Sequence, residues 1–181
     1  QHAAWHFQCG GWYQFGKFFC LSVLDDAQAV AIGGSITLGS AASSAANIYH
    51  ALIGTWLRNE YFYYNTQMAN AGVSATGSTY GLIRLQTDVI DRAPELVVID
   101  FAVNDQNETY YQAAAEALVR RLRTALPNAK LLASIFLQVG DPAENDPTNV
   151  KAAVATTWKA ICDHYTIPYG DLPAEVARAV G

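Results

Sequence analysis

Cysteine is scarce in this sequence, and its few copies are not arranged as a site. The 181 residues include 3 cysteines, Cys9, Cys20 and Cys162, which lie far apart and form neither a CxxC pair nor a ligand pattern with histidine. This spacing argues against a zinc centre and against a redox pair. We therefore expect neither a metal nor another cofactor, while a disulfide between Cys9 and Cys20 stays an open alternative.

Positive charge and long apolar runs are also lacking. The sequence has 11 lysine and arginine residues against 16 aspartate and glutamate residues, which gives a formal net charge of -5. Such a chain has no basic field to hold a nucleic-acid backbone or an anionic membrane surface. No apolar run approaches the roughly 20 residues that a membrane-spanning helix needs. We therefore expect no nucleic acid and no membrane among the partners.

The amino-terminal stretch differs in composition from the rest of the chain. It begins QHAAWHFQCGG, with neither an initiator Met nor the basic-then-apolar order of a signal peptide, so we interpret the chain as a processed or excised piece. Residues 1–24 are dense in aromatic residues and glycine and lack helical periodicity, which indicates an irregular or β-rich lead-in, or the end of a preceding domain. Residues 25–181 have the length of one globular domain.

Strand and helix patterns alternate from Ala27 onward. Short apolar strands are predicted over 27–32, 62–72, 95–103, 130–139 and 167–172, and helices over 47–61, 78–93, 109–127 and 148–165. The apolar positions that indicate the first two helices are Ile48, Leu52, Trp56 and Leu57, then Leu82, Leu85, Val89 and Ile90. This alternation predicts an α/β fold in three layers, a central parallel sheet between helices on both faces.

Three polar or small-residue segments follow successive predicted strands. Ser35 follows the first strand, the segment NAGVSATGS at 70–78 follows the second, and Asn104 follows the third within FAVND at 101–105. Ligands of such folds bind beyond the carboxyl ends of the strands, so these segments predict one site. Taken alone, Ser35 is more typical of a helix N-cap after a glycine turn than of a nucleophile. Asp105 is typical of a residue that orients the Asn104 loop or caps the next segment.

The same segments carry a resemblance to a known family. GGSITLG, NAGVSATGSTYGLIRL and FAVND resemble the first three sequence blocks of the SGNH (GDSL-type) hydrolases, over roughly residues 27–172. The resemblance implies a flavodoxin-like α/β/α fold with Ser35 as the nucleophile. It also implies an oxyanion hole formed by the N–H groups of Ser35 and Ala75 and the side-chain amide of Asn104.

The resemblance extends to an activity and a substrate class. Several relatives with a GGSIT start act on acylated carbohydrates. The resemblance therefore implies a serine esterase that removes acetyl or another short acyl group from a small ester or an acylated carbohydrate. The family resemblance also favours a secreted or extracytoplasmic location. Where relatives commonly have Asp before the nucleophile, this chain has Gly34. Where they have glycine as the second donor, it has Ala75, which keeps the N–H but disfavours positive φ. The Ala75 donor is therefore expected to survive only if the backbone at this position has an ordinary conformation.

The fourth family block, a DxxH motif that supplies the general-base histidine, does not occur in the sequence. The histidines are His2, His6, His50 and His164. We interpret His50 and His164 as structural, and the other two as able to reach the site only if the lead-in folds back. The expected domain is thus truncated at its carboxyl end, with self-association or a partner chain at the uncovered edge. The alternative function is a non-catalytic SGNH-fold module that binds a ligand without turnover.

Overall fold

Five parallel strands form the sheet in the part of the chain that the computed structural model describes, residues 28–61, 66–105, 109–136 and 150–171. The strands are β1 (Gln28–Gly33), β2 (Gln67–Gly72), β3 (Leu96–Asp100), β4 (Lys130–Ile135) and β5 (Tyr169–Asp171), in the order β2-β1-β3-β4-β5. The helices are α1 (Ser35–Leu38), α2 (Tyr49–Tyr61), α3 (Ser78–Asp88), α4 (Ala102–Asp105), α5 (Tyr111–Ala125) and α6 (Val150–His164). The predicted α/β architecture is confirmed. The lead-in, with Cys9, Cys20, His2 and His6, and the carboxyl-terminal residues 172–181 lie outside the described residues.

Alternate residues of the strands build two apolar cores, one on each face of the sheet. One face buries Val30, Ile32, Val97, Ile99, Leu131 and Ala133 against α3, α5 and α6. The other buries Ala29, Ala31, Leu96, Val98 and Leu132 against α2. Successive side chains of a strand point to opposite faces, so the continuous apolar runs of these strands serve both layers. Each fully buried Leu, Ile or Val contributes about 1.5–3 kcal/mol to stability.

Helix α2 packs through a different stripe from the one predicted. Leu57 is buried at 2% exposure, with Ile53 and Tyr49 packed beside it, whereas Leu52 and Trp56 are 52% and 37% exposed. The stripe 49, 53 and 57 repeats every four residues and faces the sheet, and a residue one position away is turned by about 100° out of contact. The prediction of the helix is confirmed, and the assignment of Leu52 and Trp56 to its apolar face is wrong. In α3 the predicted face is confirmed by Leu85, which is fully buried, and Val89, also fully buried, follows the last residue of the helix.

Asp105 connects three helices beneath the carboxyl edge of the sheet. Its carboxylate accepts hydrogen bonds from the backbone N–H of Ser78 at 2.6 Å and from Trp158 Nε1 at 2.7 Å. The Asp105 side chain is fully buried and Trp158 is 2% exposed. Ser78 begins α3 and Trp158 lies in α6, so a single carboxylate joins α3, α4 and α6. Asp105 thus ties the end of the Asn104 segment to the start of α3, an earlier helix, whereas the alternative considered from the sequence was a cap on the segment that follows it.

We expect Trp158→Phe to lower the free energy of unfolding by about 2–4 kcal/mol, because a hydrogen bond to a buried charged group and part of a buried ring are both lost. Denaturant unfolding measures the loss. Trp56→Phe, at a half-exposed position of α2, is the matched control and is expected to cost less than about 1 kcal/mol. Equal losses in the two variants would show that the Asp105 bond contributes nothing beyond ring packing.

Candidate active site

Strands β1, β2 and β3 end level with one another. Gly33, the last residue of β1, pairs in register with Gly72 of β2 on one side and with Asp100 of β3 on the other. The chain segments that leave these strands therefore start from adjacent points at the same edge. Parallel strand order reverses about β1, which is where ligands bind in open α/β sheets.

Ser35 is the first residue of α1 and lies half-buried at this edge. The N-cap of α1 is Gly34, and no side chain caps the helix. The N-cap alternative for Ser35 is therefore not what the structure shows. Among the described residues, no side chain forms a hydrogen bond with Ser35 Oγ.

The side-chain amide of Asn104 brings the three segments into contact. Asn104 Nδ2 donates a hydrogen bond to the carbonyl oxygen of Thr76 at 2.9 Å. A methyl group built on Gly34 would overlap Asn104 Nδ2 and lie 3.2 Å from the same carbonyl oxygen. The amide therefore occupies the space that a side chain at position 34 would take. Glycine at position 34 leaves this space free for the amide.

Ala75 has a backbone conformation that favours glycine. Its φ is 57°, in the left-handed region, so the backbone is not the ordinary one on which the sequence made the Ala75 donor depend. The turn is closed by Thr76 Oγ1, which donates to the carbonyl oxygen of Val73 at 2.7 Å. An L-residue in this region costs about 1–2 kcal/mol. The surrounding contacts therefore impose the conformation in spite of the methyl group.

Ala75→Gly is expected to raise the free energy of unfolding by about 0.5–1 kcal/mol, because relief of the left-handed strain outweighs the added entropy of the unfolded chain. The matched control is Ala113→Gly, at an exposed position inside α5. It should lower the free energy of unfolding by about 1 kcal/mol. Chemical denaturation of both variants checks the sign, and a loss at position 75 would contradict the strain.

Arg84 holds two strand ends together. No role was predicted for this residue from the sequence. Its guanidinium donates to the carbonyl oxygens of Ala71 at 2.7 Å and Gly33 at 3.0 Å, and pairs with Asp88 at 2.7 Å. The residue is 9% exposed. A signal existed in the sequence, because Arg84 lies beside Leu85 and three residues after Gly81, on the buried face of α3. A guanidinium on such a face needs fixed acceptors.

A second polar cluster lies behind Ser35 and was also not anticipated. Thr37 Oγ1 donates to Asp100 Oδ2 at 2.9 Å and lies 2.9 Å from the hydroxyl of Tyr49. Thr37 is fully buried and Asp100 is 2% exposed. The pKa of Asp100 is raised to about 7, chiefly because the carboxyl is buried; the Thr37 hydrogen bond lowers this pKa and the negative charge of Asp105 raises it. Burial and the negative charge of Asp100 also raise the pKa of Tyr49. A carboxyl in the buried run ELVVIDFAV was the available sequence signal.

Neither described histidine is placed to act on Ser35. His50 is 5% exposed, its Nε2 lies 3.1 Å from the carbonyl oxygen of Thr37, and burial lowers its pKa. His164 ends α6, which runs back to the start of β5, so it lies at the opposite, amino edge of the sheet. Its ring packs edge-on against Tyr165. The two histidines therefore have structural surroundings.

The described part of the chain contains neither a metal site, nor a reactive thiol, nor a helix able to cross a membrane. No group of three or more His, Cys, Asp or Glu side chains there is arranged to hold a metal ion. Cys162 is free and buried in α6, and burial raises the pKa of its thiol to about 12, which keeps it protonated. None of the helices in these ranges combines the length and the apolar character that crossing a membrane requires.

The family model of the GDSL-like lipases and acylhydrolases matches residues 31–180. The chain belongs to this family. Its members are ester hydrolases, and the SGNH-type fold predicted from the sequence is confirmed. No match is found among curated proteins.

Solved structures of esterases share this fold. A two-domain esterase active on acetylated mannans is 26% identical, with a TM-score of 0.61 over 79% of this chain and 37% of that one. A catalytic mutant of an acetylxylan esterase from Geobacillus stearothermophilus is 21% identical, with a TM-score of 0.65 over 80% of this chain and 75% of that one. AlinE4, an SGNH-hydrolase family esterase, is 19% identical, with a TM-score of 0.64 over 82% of this chain and 77% of that one. The chain thus spans little more than a third of the length of the mannan esterase.

Proposed function

We propose that this protein is a serine ester hydrolase that removes acetyl or other short acyl groups from carbohydrate, with Ser35 as its nucleophile. The observation that carries the proposal is the contact of Asn104 with both Gly34 and Thr76 at one edge of the sheet. It places an amide donor beside the residue that precedes Ser35 and beside the residue that follows Ala75. A nucleophile and oxyanion donors in one small space are what acyl transfer requires.

The reaction would run through an acyl-enzyme. Ser35 Oγ attacks the ester carbonyl carbon while its proton passes to a general base, and the carbonyl oxygen becomes an oxyanion. Collapse of this intermediate breaks the bond to the sugar oxygen, which takes the proton from the base. Water then attacks the acyl-serine in the same way, which releases the carboxylic acid and restores the Ser35 hydroxyl.

Three donors would stabilise the oxyanion: the N–H groups of Ser35 and Ala75, and the second N–H of Asn104 Nδ2. A primary amide carries two protons, and only one of them is used by Thr76. That bond fixes the amide plane before substrate arrives, so little reorganisation is needed during the reaction. Removal of one such donor typically costs about 10²- to 10³-fold in kcat.

The substrate class comes from the comparisons. The mannan esterase acts on acetylated mannans, and the Geobacillus enzyme is an acetylxylan esterase. An acetylated polysaccharide or oligosaccharide is therefore the proposed substrate of this chain. A groove of about 350 Å³ lies beside α3 and the start of α5, and no step of the proposed reaction uses it. It is lined by the exposed residues Tyr80, Ile83 and Tyr110 and by Thr79 and Thr109.

A second candidate function is a binding module that holds acylated carbohydrate without turnover. The observation that favours it is the histidine inventory: no DxxH motif occurs in the sequence, and His50 and His164 have structural surroundings. Such a module would retain Ser35 and its donors and lack an efficient proton acceptor. The two candidates differ in turnover and agree in ligand.

The test is hydrolysis of 4-nitrophenyl acetate and of acetylated xylan and mannan, with and without added imidazole. We expect a rate that Ser35→Ala abolishes and that Asn104→Ala lowers by about 10²- to 10³-fold. The matched controls are Thr124→Ala and Asn128→Ala, both exposed and close to the start of β4 at the amino edge of the sheet. Because imidazole itself cleaves the nitrophenyl ester, the rate of the same mixture without protein is subtracted throughout.

The outcomes separate the two candidates. Turnover without imidazole supports the esterase. Rescue by imidazole, together with acetylation of Ser35 seen by mass spectrometry, shows a competent nucleophile without its base. Binding of acetylated oligosaccharide with no acetylation of Ser35 under either condition would support the binding module and overturn the esterase.

A further inference from the structure

Asp100 holds both ends of the short segment that contains Ser35. Its backbone oxygen accepts a hydrogen bond from the N–H of Gly34 at 3.1 Å, and its carboxylate accepts one from Thr37 Oγ1 at 2.9 Å. Ser35 lies between these two attachment points. Helix α1 has 4 residues and no side-chain cap, so it has little stability of its own. Its position therefore depends on what it is attached to.

The attachment through Thr37 is part of a chain of hydroxyl groups. The Tyr49 hydroxyl, Thr37 Oγ1 and Asp100 Oδ2 are linked at 2.9 Å for each step. A carboxylate only accepts, so with Asp100 ionised Thr37 donates to Asp100 and Tyr49 donates to Thr37. With Asp100 protonated, the carboxyl can donate to Thr37, which then donates to Tyr49. One proton on Asp100 therefore reverses the chain and replaces a charge-assisted bond with a neutral one.

No described cation compensates the Asp100 carboxylate. On the sheet face that α2 covers, it meets Thr37 of α1 and Tyr49 of α2, and His50 beside them is buried and bonded to Thr37. Asp105 of α4 adds negative charge. Arg84 of α3 binds Gly33, the register partner of Asp100, through its carbonyl oxygen. The pKa of about 7 follows from this environment, so both protonation states occur near neutral pH.

We propose that Asp100 is a positioning residue for Ser35, which holds the nucleophile turn in place through Thr37 when its carboxyl is ionised and loosens it when the carboxyl is protonated. This inference rests on the proposed function, because it concerns the same serine. It goes beyond that function by assigning a control on the nucleophile to a buried acid that does not touch the reacting atoms.

The first test compares pH profiles of Ser35-dependent hydrolysis for the wild type and Asp100→Asn. Asparagine keeps the shape and an acceptor oxygen but cannot ionise. We expect the two profiles to converge below about pH 6 and to differ above pH 8, where kcat of the variant is about tenfold lower and KM stays within twofold. The matched control Asp91→Asn, at an exposed residue, should follow the wild type throughout.

Thr37 variants test the route of the effect. Thr37→Val removes the hydroxyl at nearly constant volume and should reproduce the loss seen with Asp100→Asn, whereas Thr37→Ser should restore most of the activity. Thr124→Val, at an exposed position of α5, is the matched control. A wild-type kcat and pH profile in Asp100→Asn or in Thr37→Val would overturn the proposal.

Two measurements decide the matter even if no hydrolysis is found. A carboxyl whose pKa is about 7 in the folded state and 3.8 in the unfolded chain makes stability fall as pH rises from about 4 to about 7. We expect Asp100→Asn to remove this part of the pH dependence and to be more stable than the wild type above pH 7.

Amide hydrogen exchange over residues 34–39 should be faster in both Asp100→Asn and Thr37→Val. The positioning role would be overturned if the stability of Asp100→Asn changed with pH in parallel with the wild type, or if exchange over residues 34–39 were unchanged in the variants. If both expected changes are seen but no hydrolysis is found, only the proposed function is contradicted.

Discussion

The register of β1 with its two neighbours is the constraint on which the candidate site depends. Gly33 lies opposite Gly72 and Asp100, so three chain segments leave the sheet from adjacent points. A shift of one residue in either pairing would turn the side chains of a whole strand to the other face. Arg84 reinforces this alignment, because its guanidinium binds the carbonyl oxygens of both β1 and β2 at their ends. The contact of Asn104 with Gly34 is a consequence of this level edge.

Missing side chains are as important at this edge as present ones. A methyl group on Gly33 would overlap Thr37 Oγ1 and the carbonyl oxygen of Asp100, and one on Gly34 would overlap the Asn104 amide. The two glycines therefore admit two polar groups at once, a buried hydroxyl behind the turn and an amide in front of it. The Gly-Gly pair has a packing role at both positions, in addition to making the turn that its composition indicates.

The sequence predicted what depends on periodic patterns and missed what depends on particular contacts. Strands β1, β3 and β4 are continuous apolar runs, and such runs are recognisable because both faces of a parallel sheet are covered. The stripe of α2 was misassigned because Leu52 and Trp56 are apolar and yet exposed, which composition does not forbid. The φ of Ala75 could not be predicted, since alanine ordinarily avoids that region and the turn imposes it.

The partners of the buried polar groups behind the site could not be predicted from the sequence either. Asp100 and Arg84 are visible in the sequence as charges within apolar patterns, but only the fold shows that their partners are Thr37 and two strand carbonyls. These partners come from segments 63 and 51 residues away for the Thr37 and Gly33 contacts. The two apolar cores lie beneath this edge and do not include Ser35 or Asn104. The fold can therefore persist whether or not the edge completes a catalytic unit, and family membership by itself does not decide between an esterase and a binding module.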